Sequence, residues 1–227
     1  MTRTLIMLFM LGGALLCVSC GQQSWESAMA AGQQAMQKGD YAEAARIFSA
    51  AVKKAESQYG LRDRHVALAL SSEAQAFAAQ GQYVEAEPAY FQALTIYQDV
   101  HGENHADVAA TLNNLGVLHR MHGQYPQAEP LLLRALAIKE RLYGADHQDV
   151  ALSLHNLGAL YVAQGVPEKA EPLYRRALAI REKALGETHR DVEKSVSDLV
   201  DLLKRLHREA DAAPFEARLS AIKHRQS

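Results

Sequence analysis

Histidine pairs are the residues of this chain whose spacing best suits metal chemistry. His101 and His105 lie four residues apart, and His119 and His122 lie three apart; either spacing can hold a metal ion. However, two of these positions have counterparts 42 residues away along the chain. The counterparts of His105 are His147 and His189, and those of His101 are Tyr59, Tyr143 and Leu185. We therefore predict loop and packing roles for these side chains, and no metal site.

Catalytic and cofactor-binding patterns are absent from the sequence. It contains no G-x-S-x-G, P-loop, G-x-G-x-x-G or H-E-x-x-H motif, and its acidic residues are interspersed with Lys and Arg as on solvated helix faces. The 227 residues include 24 Lys plus Arg and 26 Asp plus Glu, a net charge of −2. Nucleic-acid binding requires clustered positive charge. The sequence predicts a non-enzymatic protein without a cofactor and argues against a nucleic-acid partner.

The elements that must position a binding site repeat every 42 residues. This interval relates three sets of glycine or alanine and one set of valine, Val66, Val108, Val150 and Val192. Within one period, apolar residues recur at helical spacing in two stretches. Asp107 is expected to cap the first stretch, and Gly123 is expected to end it. The pattern predicts two helices per period, which we call A and B.

The two predicted helices of a period carry small residues where they face each other. Gly116 on helix A and Ala128 on helix B permit a close approach, which favours an antiparallel hairpin. Because one hairpin buries a single face, consecutive copies must stack. We predict an all-α fold, a right-handed superhelical α-solenoid whose A helices line a concave surface. Its five units are 24–65, 66–107, 108–149, 150–191 and 192–227, the last being a degenerate unit or C-terminal cap.

Four stretches of one period carry a family resemblance. They are Leu-Asn-Asn-Leu-Gly at 112–116, Gly-Gln-Tyr-x-x-Ala-Glu-Pro at 123–130, Arg-Ala-Leu-Ala-Ile at 134–138 and His-x-Asp-Val at 147–150. The pattern is similar to the tetratricopeptide repeat, and its length resembles the kinesin-light-chain-like subgroup. The resemblance implies an α-solenoid that binds a protein or peptide partner.

The side of helix A that points away from helix B is the predicted peptide-binding surface. Its residues are Asn113, Asn114, Val117, Arg120, Met121 and Asn156, with Ser72 and His155 at the margins. The resemblance implies that Asn114 and Asn156 contact the backbone of a bound peptide, a task that suits an amide because it donates and accepts hydrogen bonds. Alternatively, these amides bond between neighbouring helices. Arg120 is the one formal charge in this set, which argues against the carboxylate clamp of chaperone-binding relatives.

The N-terminus has the features of an export signal. An uncharged run of 14 residues, Leu5 to Val18, follows one Arg; as a helix it would reach about 21 Å, short of a membrane span. Residues 16–20, which end in Ser19-Cys20, resemble a bacterial lipobox. That resemblance implies removal of a signal peptide at 1–19, acylation of Cys20 and a short linker at 20–23. The alternative is cleavage by ordinary signal peptidase near the same position.

Together these features predict a lipid-anchored, non-enzymatic adaptor or scaffold that binds a peptide segment of a partner protein in its concave groove. Gly21 rather than Asp follows Cys20, which resembles sorting to an outer membrane and a location facing the periplasm. The alternative function is an accessory regulator of an envelope enzyme, for instance one of cell-wall synthesis, that acts through the same groove.

Overall fold

The computed structural model describes residues 24–226, which form ten α-helices and no strand. The helices are α1 (Trp25–Lys38), α2 (Tyr41–Tyr59), α3 (Arg64–Ala79), α4 (Tyr83–His101), α5 (Ala106–Met121), α6 (Tyr125–Tyr143), α7 (Gln148–Ala163), α8 (Pro167–Leu185), α9 (Arg190–Arg205) and α10 (Glu209–Gln226). Odd-numbered helices are the A helices and even-numbered ones the B helices. The predicted all-α repeat fold is confirmed. From α3 onward, each A helix begins two residues before the start of the predicted unit.

Each A helix packs against the B helix that follows it, and the next A helix packs against that same B helix. In addition, α5 contacts both α3 and α7, so neighbouring A helices share one face of the solenoid. The valines of the 42-residue pattern are fully buried between the helices; they are Val66, Val108, Val150 and Val192. The repeated core therefore continues from one unit into the next.

Gly116 brings α5 and α6 into close contact. A Cβ atom at this position would lie 2.6 Å from Cγ of Leu132 and 3.3 Å from the backbone oxygen of Ala128. The same relation recurs one unit later, where a Cβ at Gly158 would lie 2.4 Å from Cε1 of Tyr174. The predicted close approach of the two helices is confirmed, and the core has no space for a larger side chain there.

The turn from helix A to helix B requires a left-handed backbone. Gly123 has a φ of 77°, and the next residue, Gln124, donates its backbone N–H to the carbonyl of His119 at 2.8 Å. This is the Schellman arrangement that ends many helices. In the last unit the equivalent position is His207, which adopts a φ of 55°. The last unit therefore forms the same turn without glycine, although the left-handed conformation is sterically unfavourable for a residue with a side chain.

Histidine caps the turn from helix B to the next helix A before α5, α7 and α9. Helix α5 begins at Ala106, and Nδ1 of His105 accepts the backbone N–H of Asp107 at 3.2 Å. The prediction that Asp107 is the cap was therefore wrong; an imidazole nitrogen accepts the amide, while Asp107 places its negative charge in the first turn. His147 and His189 cap α7 and α9 in the same way, at 3.2 and 3.1 Å. This confirms their predicted loop role.

Helices α9 and α10 close the C-terminal end of the solenoid. Leu199 and Leu203 are fully buried and pack in one cluster with Tyr174 of α8, whereas Lys204 and Arg205 are exposed. This is the one-sided polarity expected of a terminal pair. No helix within residues 24–226 combines the length and hydropathy needed to cross a membrane. The predicted signal segment and Cys20 lie outside the described residues.

Candidate peptide-binding groove

The face lined by the A helices, which we call the concave face, contains several depressions within the described residues, and two of them include predicted peptide-binding residues. The first, of about 200 Å³, lies between α3 and α5 and is lined by Gln75, Ala78, Tyr90, Asn114, Val117, Leu118 and Met121. The second, of about 360 Å³, lies between α7 and α9 and is lined by Gln148, Asp149, Leu152, His155, Asn156, Arg181, Leu185, Asp191 and Lys194. The predicted surface is thus divided into an apolar part and a polar part.

The α3–α5 depression brings together three of the predicted peptide-binding residues. Asn114 and Val117 are half-buried, and the side chain of Met121 is exposed at the rim. Among the described residues, the amide of Asn114 has no hydrogen-bond partner. An amide that faces an apolar depression without a partner is available to a ligand.

Asn113 does not open onto either depression. Its side chain is buried, at 5% exposure, and its Oδ1 accepts a hydrogen bond from Nδ2 of Asn156 at 3.0 Å. This bond links α5 to α7 across the boundary between two units. For Asn156, the alternative role as a bond between neighbouring helices is therefore present, although the residue also lines the α7–α9 depression.

Two further predicted residues lie outside both depressions. Ser72 donates its hydroxyl to the carbonyl of Leu68 within its own helix, at 2.9 Å. Arg120 is half-buried, and its enclosed Nε has no hydrogen-bond partner in the part of the chain that the structure describes. Ser72 is therefore satisfied locally, whereas Arg120 contributes positive charge beneath the concave face.

A partly buried histidine, His155, lines the α7–α9 depression. The ring of His155 stacks on Tyr174, with centroids 5.4 Å apart, and its Nδ1 is 3.5 Å from Oδ2 of Asp198. Burial, followed by the positive charges of Arg181 and Lys194, lowers the pKa of His155 to about 4. His155 is therefore uncharged at neutral pH, and its contact with Asp198 is not an ion pair.

Sequence reasoning missed the B-helix residues that enter the depressions. Tyr90 of α4 lines the first depression and Arg181 of α8 lines the second, where it donates to Oγ of Ser195. Their signal was weak because the groove was assigned to A helices alone. One sequence signal was present. Arg181 and Lys139 occupy the same position of successive units, and each directly follows a buried isoleucine. A long cationic side chain next to a core residue can extend along the apolar surface and place its charge at a polar partner.

The histidines whose spacing suits a metal ion separate into two groups in the structure. His119 is buried and bonded to Oε1 of Gln124 at 2.6 Å, while His122 packs against the ring of Tyr83. In contrast, His101 and His105 come together with Asp107 at the joint between α4 and α5. His119 and His122 therefore have structural contacts, whereas His101, His105 and Asp107 together have the composition of a metal site.

A sequence profile described as the tetratricopeptide repeat matches residues 65–141, 123–183 and 149–223, which together span most of the chain. The chain belongs to the tetratricopeptide repeat family. A comparison with curated proteins found no match.

Solved structures with the same fold include kinesin-light-chain-like proteins, as the sequence predicted. BtubC (BKLC) from P. vanneervenii is 24% identical with a TM-score of 0.76, over 88% of this chain and 80% of that one. A P. anserina protein assigned as a kinesin light chain is 22% identical with a TM-score of 0.74, over 89% and 96%. Aspartyl phosphate phosphatase F from Bacillus subtilis is 18% identical with a TM-score of 0.73. The match covers 89% of this chain but only 51% of that protein. At these identities the likeness concerns the fold.

In this tetratricopeptide repeat protein, the concave face offers apolar contact and hydrogen bonding. The α3–α5 depression has space for an apolar side chain beside the amide of Asn114, which bonds to no other residue within 24–226. The α7–α9 depression is lined by the cations Arg181 and Lys194 and by the carboxylates of Asp149 and Asp191. Groups of these kinds hold extended peptides in other proteins.

Proposed function

We propose that this chain is a non-enzymatic adaptor that holds a peptide segment of a partner protein on its concave face. The observation that carries the proposal is the amide of Asn114, which has no partner among the described residues and opens onto the apolar α3–α5 depression. Its family supports the proposal at a coarser level, because tetratricopeptide repeats form interaction scaffolds.

The depression suggests how the peptide is bound. A volume of about 200 Å³ bounded by Ala78, Tyr90, Val117 and Leu118 suits one apolar side chain. The amide of Asn114 can donate to a peptide carbonyl and accept from a peptide N–H at the same residue. An extended segment with one apolar anchor therefore satisfies both features.

Photo-crosslinking tests this assignment directly. A photoreactive amino acid at Met121, whose side chain is 45% exposed, should form adducts with the partner in membranes. The matched control is Phe91 on α4, which is 43% exposed but lies outside both depressions. Equal amounts of adduct from both positions, or adducts from Phe91 alone, would contradict the assignment of the binding surface to the α3–α5 depression. The partner's identity then distinguishes a scaffold from a regulator of an envelope enzyme.

Affinity for the cross-linked partner supplies the second measurement. Replacing Asn114 by Ala should weaken binding by about 1–3 kcal/mol, because a peptide group loses its hydrogen-bond partner. Melting should be unchanged, because Asn114 bonds to no described residue. Unchanged affinity would contradict the proposed role.

The proposal also includes a lipid anchor at Cys20 that keeps the solenoid at the outer membrane, facing the periplasm. Its support is the lipobox-like sequence Leu16 to Cys20, followed by Gly21. One acyl chain gives only marginal binding, whereas two or three anchor a protein stably. Replacing Cys20 by Ala should abolish fatty-acid labelling and release the protein from membranes. The control is Cys17→Ala, which leaves Cys20 in place; a Cys20→Ala protein that stays with the membranes would contradict the anchor.

A further inference from the structure

The joint between α4 and α5 brings two imidazoles and a carboxylate together. His101 is the last residue of α4, His105 caps α5, and Asp107 is the second residue of α5. One ligand atom from each of the three side chains lies within 4.8 Å of the other two. Within residues 24–226 this is the one group of three such side chains that meets this condition.

The distances in this cluster are close to those around a tetrahedral ion. Oδ2 of Asp107 lies 3.5 Å from Nε2 of His101 and 3.4 Å from Nδ1 of His105. Metal bonds of about 2.0–2.2 Å in tetrahedral geometry place neighbouring ligand atoms roughly 3.3–3.5 Å apart. Two of the three separations therefore need little change. The third requires His105, whose side chain is 41% exposed, to turn toward the ion and give up its bond to the Asp107 amide and its stacking on His101.

An enclosed ring nitrogen points into the cluster. Nε2 of His101 forms no hydrogen bond within residues 24–226 and faces only the Asp107 carboxylate, at 3.5 Å. The ring is held between neighbours, since it stacks on His105 with centroids 4.1 Å apart and on Tyr97 at 6.1 Å. A buried imidazole nitrogen is costly unless a hydrogen-bond partner or a cation satisfies it.

The other joints of the solenoid lack the third ligand. His147 with Asp149 and His189 with Asp191 keep the two-residue capping arrangement, with contacts of 3.4 and 3.7 Å. At the position of His101, however, these joints carry Tyr143 and Leu185. The cap explains the repeated pair. His101 stacks on His105 as Tyr143 stacks on His147, but of these two stacking rings only the imidazole has a nitrogen that can bind a metal ion.

The charges at the joint permit a cation. The C-terminus of α4 contributes a partial negative charge and the N-terminus of α5 a partial positive one, so the helix dipoles oppose each other there. Asp107 adds a full negative charge. The hydrogen bond from the Asp107 amide to Nδ1 of His105, at 3.2 Å, is at the long end of the usual range, so a metal bond at that nitrogen can replace it.

We propose that His101, His105 and Asp107 bind one divalent ion of the Zn²⁺ class, with the fourth coordination position open to water. Two imidazoles and one carboxylate are a ligand set that suits zinc. The ion would fix α4 against α5. Since Tyr90 of α4 and Asn114 of α5 line the same depression, it would also fix one wall of that depression relative to the other.

The repeat supplies a matched set of variants for the test. In His101→Tyr, the residue found at the same position of two other units replaces the third ligand, so the fold should be kept. In Tyr143→His, the next joint gains the missing imidazole beside His147 and Asp149. The full chain, stripped with a chelator, is titrated with ZnCl₂ by calorimetry and with CoCl₂ by visible absorption, with a thermal melt before and after addition.

The unchanged chain should bind one equivalent of Zn²⁺ that His101→Tyr binds at least tenfold more weakly, and Co²⁺ should give the absorption of a tetrahedral complex. Tyr143→His should add a second equivalent. The ion should raise the melting temperature of the unchanged chain, but not that of His101→Tyr. Equal affinity and stoichiometry in the unchanged chain and His101→Tyr would overturn the site. A Tyr143→His protein without a second equivalent would show that this triad is insufficient to hold the ion.

Discussion

Asn156 on α7 donates a side-chain hydrogen bond to Asn113 on α5, which lies 43 residues earlier in the chain. The bond is made inside the layer of A helices, because only 5% of Asn113 is exposed. It ties the third unit to the fourth and leaves Asn114, the neighbour of Asn113, as the amide that faces the apolar depression. Adjacent asparagines of one helix therefore have different roles.

Removing this bond should lower stability. In Asn156→Ala, the oxygen of Asn113 is left buried without a partner, and we expect the free energy of unfolding to fall by about 1–3 kcal/mol. The matched control is Asn114→Ala, which should change it by less than about 0.5 kcal/mol. Denaturant unfolding followed by circular dichroism measures both. Equal losses in the two variants would mean that the Asn113–Asn156 bond contributes no more than a surface amide does.

The histidine caps should be replaceable by aspartate. At the joint before α3, Oδ1 of Asp63 accepts the backbone N–H of His65 at 2.8 Å, the role that His147 has at α7. We expect His147→Ala to cost about 0.5–2 kcal/mol of unfolding free energy and His147→Asp to retain most of the stability. The same unfolding experiment compares the two variants. A His147→Asp protein as unstable as His147→Ala would show that the ring stacking on Tyr143, and not the cap, is what stabilises this joint.

Acid should destabilise the fold through His155. Its pKa is about 4 in the folded chain against an ordinary value of 6.5, so the unfolded chain binds more protons between these values. The stabilising contribution is complete above pH 6.5 and is lost as the pH falls toward 4, by up to about 3 kcal/mol. Asp198 changes stability in the opposite sense, because burial raises its pKa.

A variant isolates the histidine from its neighbours. In His155→Asn the residue becomes the one that the preceding unit carries, Asn113, and the titrating group is lost. Unfolding free energies of both proteins are measured from pH 4 to 7. The difference between the unchanged chain and the variant should shrink or reverse toward pH 4; two parallel curves would contradict the lowered pKa of His155.

Local sequence determined the helices and the turns between them. The 42-residue interval and the apolar spacing predicted paired helices because both depend on residues within one period. Gly116 indicated the close approach of helices A and B, which the 2.6 Å distance to Leu132 confirms. The cap was misplaced by two residues because Asp is a common N-cap, whereas the acceptor in this turn is His105.

Tertiary structure alone decided which polar side chains are free. Successive residues of a helix point about 100° apart, so Asn113 and Asn114 cannot share a face, but the sequence leaves open which of them the next helix covers. The register of α7 against α5 covers Asn113. In the same way, a repeat comparison assigned His101 to packing, and only the four-residue turn after α4 placed its ring against His105 and Asp107. Periodicity defines the shared scaffold, whereas contacts between units decide how the residues that depart from the repeat are used.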